Sequence, residues 1–284
     1  MTKGSSDQIT RSPNRQMIRF AKAHAYGNDF LYVRKGEVED ADLDALTREM
    51  CDRHTGVGAD GLIVYEATDG TVSMRLFNAD GSRAEVSGNG VRALAALALR
   101  HDDRPHAELT IQTDAGPKRL VRIGRDQARQ TFRAAMGAPS GVRQASMSVA
   151  GESVVAVILN IGNPQCVLLG PLPDAARFER LGAALERHAL FGEGTNVEFA
   201  QVETPTRVRI LIWERGVGPT TSSGTGACAA LIAARRFGGA EAAADVVATG
   251  GTQRVEWEAD GVYLTGWAEV LCEGEWFRQI PRTS

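Results

Sequence analysis

The chain has 284 residues, a length that favours about two domains. Apolar residues make up 43% and charged residues 24%, which excludes a chain that is disordered throughout. The formal net charge of −3 includes no long Lys/Arg run, and the longest apolar stretches, 93–99 and 227–234, fall far short of the ~20 residues that span a bilayer. Nucleic acid and membrane are therefore not expected partners.

Residues 1–15 are polar, read as a disordered tail, and contain no apolar core of a secretory signal. Strands are expected at 18–23 and 30–33, around a Gly27-Asn28-Asp29 turn, followed by a helix at 42–53. Residues 61–67 and 71–77 read as a strand pair, and 91–100 as an Ala/Leu helix. Further strands are expected at 108–113, 118–123, 131–136, 153–160 and 165–169, where β-branched residues alternate. A helix follows at 175–186, strands at 196–202 and 208–213, and a second Ala-rich helix at 227–236. Strands at 246–248, 253–258, 261–266 and 275–280 close the chain. Many short strands with few helices indicate an α+β fold. The 31 glycines call for many tight turns. The cysteines Cys51, Cys166, Cys228 and Cys272 have no metal-ligand spacing and read as free thiols of a reducing cytoplasm.

An internal repeat organises these elements. Phe77 stands ten positions before Ser87-Gly88-Asn89-Gly90, and Trp213 stands ten before Ser223-Gly224-Thr225-Gly226. Each Ser-Gly-x-Gly opens an apolar Ala/Leu helix, and the two serines are 136 residues apart. Serine is a favoured N-cap, and a helix N-terminus with unobstructed N–H groups binds anions such as carboxylates. Taken singly, such a segment is more often a plain cap. At matched positions in two similar halves, the pair points to two serines facing one cleft.

The chain resembles diaminopimelate epimerase, of the cofactor-independent amino-acid racemase superfamily. The resemblance rests on the segments 22–30, 52–60, 77–82, 88–90, 162–164, 194–197, 214–218 and 224–230, taken in order. It implies an α+β fold of two pseudo-symmetric halves, each an antiparallel sheet or barrel wrapped around a central helix. The N-terminal half is expected to hold residues 16–117 plus 268–284, and the C-terminal half 118–267. It further implies a cytoplasmic isomerase that takes LL- to meso-diaminopimelate for lysine and peptidoglycan, without cofactor or metal. The expected partner is a small carboxylate-bearing amino acid, with a homodimer left open.

In that family two cysteines work across the cleft, one thiolate removing the α-proton and the opposing thiol returning a proton to the other face. Both positions are serine here, Ser87 and Ser223, and these are the candidate catalytic residues. The resemblance places Asn28, Asn78, Gly88, Asn89, Asn163, Asn196, Glu214, Arg215, Gly224 and Thr225 at the substrate. Gly224 and Thr225 hold the reacting carboxylate through backbone N–H groups. Gln165 stands where the family has histidine, Pro219 where it has glutamate, and Gly61 where it often has glutamine; Gln165 and Asp80 are the candidate tuning residues. Serine is far less acidic than cysteine and needs a base beside it, because a helix N-terminus contributes only about 0.3–2 kcal/mol. Three readings follow: an epimerase with an atypical Ser/Ser site; an isomerase or dehydratase that moves a proton on one face, with Asp80, His24 or Glu214 as base; or a weak or inactive paralogue that keeps the anion pocket.

Overall fold

A computed structural model describes residues 15–68 and 71–279. Strands β1 (Arg15–Ala25) and β2 (Asn28–Arg34) form an antiparallel hairpin. Its turn is taken by Tyr26 and Gly27, both in the left-handed region (φ 56° and 88°), so Asn28 already lies in β2 rather than in the expected turn. Tyr26 tolerates this backbone because its ring packs on Trp267 at 4.5 Å and its hydroxyl accepts from the Trp267 N–H at 3.2 Å. Helix α1 (Leu43–Cys51), capped by Asp42, covers the outside.

Strand β3 (Gly61–Thr68) runs parallel to β2, and β4 (Thr71–Asn78) returns antiparallel. After the short β5 (Arg83–Ala84) comes helix α2 (Gly88–Ala98), then β6 (Glu108–Thr113), β7 (Gly116–Asp126) and β8 (Arg129–Gly137). Strand β6 joins β4 in parallel, and β8 joins the last strand, β17 (Gly261–Gln279), which pairs with β1. The order β1–β2–β3–β4–β6–β7–β8–β17 therefore closes on itself around α2, whose residues 89–97 are all buried. Closure removes sheet edges, and the alanines of α2 keep it slim enough to be encircled.

The second half repeats the plan. Strands β9 (Ser140–Val149), β10 (Glu152–Asn160) and β11 (Pro164–Leu169) lead to helix α3 (Ala175–Glu186) on the outside. Strand β12 (Asn196–Thr204) runs parallel to β11, and β13 (Arg207–Glu214) returns antiparallel. The short β14 (Gly218–Thr220) leads into helix α4 (Gly224–Ala233), followed by β15 (Ala243–Ala248) and β16 (Gly251–Glu258), which meets the start of β17. All ten residues of α4 are buried, so it is apolar on every side rather than along one stripe.

The halves thus form as expected, but with mixed rather than purely antiparallel sheets: β2–β3, β4–β6, β11–β12 and β13–β15 are parallel. Strand β9 was not expected: most of its residues face solvent, and the alternation of Ala145, Met147 and Val149 with serines is confined to its last five residues. The strands expected at 261–266 and 275–280 are one continuous strand, which changes partners from β8 and β16 to β1 along its length. Both central helices start three residues earlier than expected, at Gly88 and Gly224, because the serine cap sets the start. Apart from Arg15, at the start of β1, the expected tail lies outside the described residues, as does the end of the last expected strand.

Candidate active site

Ser87 and Ser223 occupy the N-caps of α2 and α4 in extended backbone, and each hydroxyl oxygen accepts from the N–H three residues on. The Gly90 N–H to Ser87 Oγ and Gly226 N–H to Ser223 Oγ distances are both 3.1 Å. The two helix starts abut: a Cβ placed on Gly88 would stand 3.3 Å from Gly224 Cα, and the converse distance is the same. Only glycines allow this approach. The helix ends open into one cleft of about 500 Å³, and both serines line it.

The expected substrate residues also reach this cleft. Gly88, Asn89, Gly224 and Thr225 line it from the helix starts, and Asn28, Asn78, Asn163 and Asn196 from strand ends. Asn28 Nδ2 donates to Asp60 Oδ2 at 2.8 Å, and Asp60 is paired with Arg53 at 2.8 Å. Asn89 Nδ2 spans the halves, donating to Asn28 Oδ1 at 3.2 Å and to the Ser222 carbonyl at 3.1 Å. Asn196 Oδ1 accepts from the Arg215 N–H at 3.0 Å, which fixes the start of the Arg215 turn. Among the described residues the guanidinium of Arg215 gives one hydrogen bond, to the Glu193 carbonyl at 3.3 Å, and its remaining donors have no protein acceptor.

Glu214 distinguishes the two serines. Burial pushes its carboxyl up to about 7, Asp60 adds to the rise, and a hydrogen bond with the Ser223 hydroxyl opposes it. Ser223 thus accepts from a helix N–H beside a carboxyl whose pKa is raised to about 7. Ser87 has the N–H but no carboxylate partner among the described residues.

Gln165 lies just behind the cleft wall, fully buried, with its amide between Asn163 Oδ1 (2.6 Å) and the Glu198 carboxyl (2.9 Å). Glu198 is itself fully buried, and burial together with the charge of Glu214 pushes it well above the ordinary carboxylate range. Asp80 does not line the cleft: it accepts from the Ser82 N–H at 2.8 Å and shapes the turn after Asn78. His24 is also outside, edge-on to Trp267 at 5.3 Å and 3.9 Å from Glu269, with its pKa lowered by burial. Of the three candidate bases only Glu214 is therefore in place. Neither Asp60 nor Glu198 is singled out as a site residue by the sequence. The signal for Glu198 was a single charge between Val197 and Phe199 in an apolar strand.

The family model for diaminopimelate epimerase matches residues 20–142 and 157–271. A diaminopimelate epimerase of Desulforudis audaxviator is 39% identical over 280 residues, covering 92% of this chain and 100% of that relative. One from Pelotomaculum thermopropionicum is 37% identical, covering 91% and 99%. Among solved structures, a hydroxyproline epimerase from Agrobacterium vitis with bound trans-4-hydroxy-L-proline superposes with a TM-score of 0.71 at 14% identity, over 94% of both chains. A methylitaconate-delta-isomerase gives 0.63 at 13% identity, over 94% and 96%. With the matched residues spanning both halves and both helix starts, the chain belongs to the diaminopimelate epimerase family.

Proposed function

We propose that this chain removes and returns the α-proton of a carboxylate-bearing amino acid of the diaminopimelate type, with Glu214 acting through Ser223. The observation that carries this reading is the placement of Glu214, with its raised pKa, beside Ser223 at the start of α4, in the same cleft as a second capped helix. The substrate carboxylate docks on the N–H groups at Gly88–Asn89 and Gly224–Thr225, while Arg215 and the asparagines take the distal charged end. The α-proton passes to Ser223 Oγ as the hydroxyl proton of Ser223 passes to Glu214. The electron pair left on Cα spreads into the carboxylate, where the helix N–H groups stabilise it. Inversion is completed when Ser87 delivers its proton to the opposite face and recovers one from water, while Glu214 releases the proton it took to water, which restores the starting state.

This division of labour makes removal of the proton on the Ser223 face faster than inversion. LL-diaminopimelate in D2O, followed by NMR and chiral chromatography, tests it. Deuterium entering Cα with slower formation of the meso isomer is the expected result, and no exchange from either isomer would overturn the reading. The absence of a carboxylate partner on Ser87 favours a second reading, one-face isomerisation or elimination, which would show exchange or loss of a leaving group with no inversion at all.

We infer a cytoplasmic enzyme from the four free cysteines, three of them buried. No helix among the described residues is long and apolar enough to cross a membrane. A homodimer is proposed through the exposed pair Met17 and Phe277, which face each other across β1 and β17; light scattering tests it.

A further inference from the structure

Arg92 lies in the second turn of α2 and is 0% exposed. Its Nη2 donates to Asn89 Oδ1 and, at 2.9 Å, to Gln253 Oε1, whereas Nε and Nη1 have no acceptor. The titratable groups that face it are the Tyr26 phenol, whose ring centroid is 5.9 Å from the guanidinium carbon, and the Cys228 thiol of α4. Burial raises both, Cys228 to about 12, so neither is an anion near neutrality. Burial lowers Arg92 only to about 10, and it stays protonated. Among the described residues no carboxylate pairs with it. An unpaired buried charge is strongly unfavourable, so a countercharge is called for.

The geometry shows where that charge belongs. A Cβ placed on Gly224 would stand 3.5 Å from Arg92 Nη1, so the free end of the guanidinium is directly behind the backbone that opens α4. The positive ends of α2 and α4 converge on the same spot, and Gly88 and Gly224 line the cleft on its far side. Three positive sources meet there, and although the Glu214 and Glu198 carboxyls also stand near the start of α4, neither pairs with Arg92 among the described residues.

We propose that Arg92 is a positioning residue that holds a fixed positive charge behind Gly224, so that the cleft stabilises a carboxylate increasingly as it gains the negative charge of the deprotonated Cα state. This rests on the proposed function, which puts the substrate carboxylate at those N–H groups. Through its bond to Asn89, Arg92 also orders the start of α2, so the test must separate charge from geometry.

The variants are Arg92→Met, Arg92→Lys and Gln253→Glu, with Gln253→Met as a neutral control. Gln253→Glu leaves the arginine in place and sets a carboxylate beside it. On diaminopimelate in D2O, Arg92→Met and Gln253→Glu are expected to lower kcat for exchange by about ten- to a hundredfold with little change in KM. Arg92→Lys and Gln253→Met are expected to keep most of it. Unchanged kcat in Gln253→Glu, or equal losses in Arg92→Met and Arg92→Lys, would overturn the proposal. If the wild type does not act on diaminopimelate, the functional reading fails while this one is still tested by malonate. Malonate should raise the melting temperature of the wild type more than that of Arg92→Met, and equal rises would overturn it.

Discussion

Superposed in register, the halves share their frame and differ in their chemistry. Strand pairing aligns Phe30 with Gln165 and Gly61 with Asn196, each 135 residues apart, so Ile63 in the first half corresponds to Glu198 in the second. The capping serines, and the glycines that follow them at Gly90 and Gly226, correspond one to one. Behind Gly90 stand Ile63 and Phe30, and behind Gly226 stands Glu198, with Gln165 on its carboxyl. Where β4 ends on Asn78, β13 ends on Glu214. The repeat supplies two anion cradles, but groups that titrate usefully surround only the second. Cap and glycine geometry is present twice, whereas the carboxyl proposed as base, Glu214, is provided by one half alone.

The largest effect that would break this contrast is expected at Glu214. Glu214→Gln should lower exchange at Cα by about 10²–10⁴-fold, the usual contribution of a general base. As the base proposed here acts deprotonated and the Glu214 pKa is raised to about 7, the wild-type rate should rise with pH through about 7 and level off above, and the variant should lose that rise. Rates of exchange between pH 5.5 and 9 decide this, and a wild-type profile flat across neutrality would mean that Ser223 is activated by something else.

A smaller effect should come from giving the first half an ionisable group. Ser87→Cys should raise inversion relative to exchange by at least about tenfold, because a thiol ionises near pH 8.5 and an alcohol does not. Ser223→Cys alone should gain less, since Glu214 already serves that face. The double variant should be the fastest epimerase of the three. Equal gains from the two single changes, read from the meso/LL ratio against deuterium content, would show that the halves are chemically equivalent.

How much of this was legible in the sequence follows from the range of each signal. The capped helices and the asparagines of the cleft are local signals, visible in short segments and doubled by the repeat. The carboxyl behind Ser223 is not local: Glu198 and Glu214 sit on neighbouring strands, and only their pairing brings both to α4. Arg92 was visible as a charge within an Ala/Leu helix, yet its lack of a partner depends on Tyr26, Gln253 and Gly224, which are distant in sequence. Strand β9 escaped for a different reason: its apolar alternation is local but short, limited to Ala145, Met147 and Val149. For the division of the chain we propose a junction after Gly137 instead of one at 117, since β7 and β8 complete the ring around α2.

The finest form of the contrast lies in the two helix glycines. An alanine in a helix is favoured over glycine by about 1 kcal/mol, so each replacement starts with a gain. At Gly90 the new Cβ would lie 2.8 Å from Ile63 Cδ1, the free end of an aliphatic side chain that can rotate away. The clash and the gain should nearly cancel, leaving Gly90→Ala within about 1 kcal/mol of wild type. At Gly226 the new Cβ would lie 2.7 Å from Glu198 Oε1 and 3.2 Å from Ser223 Oγ. That carboxyl is fully buried and held by Gln165, so moving it strands a polar group, and the net loss for Gly226→Ala should be about 1–3 kcal/mol. Urea unfolding of the two variants gives the comparison directly. Equal losses would mean that the packing behind the two helices is interchangeable and that Glu198 is free to move, whereas a larger loss at Gly226 places the less forgiving packing in the half that carries the base.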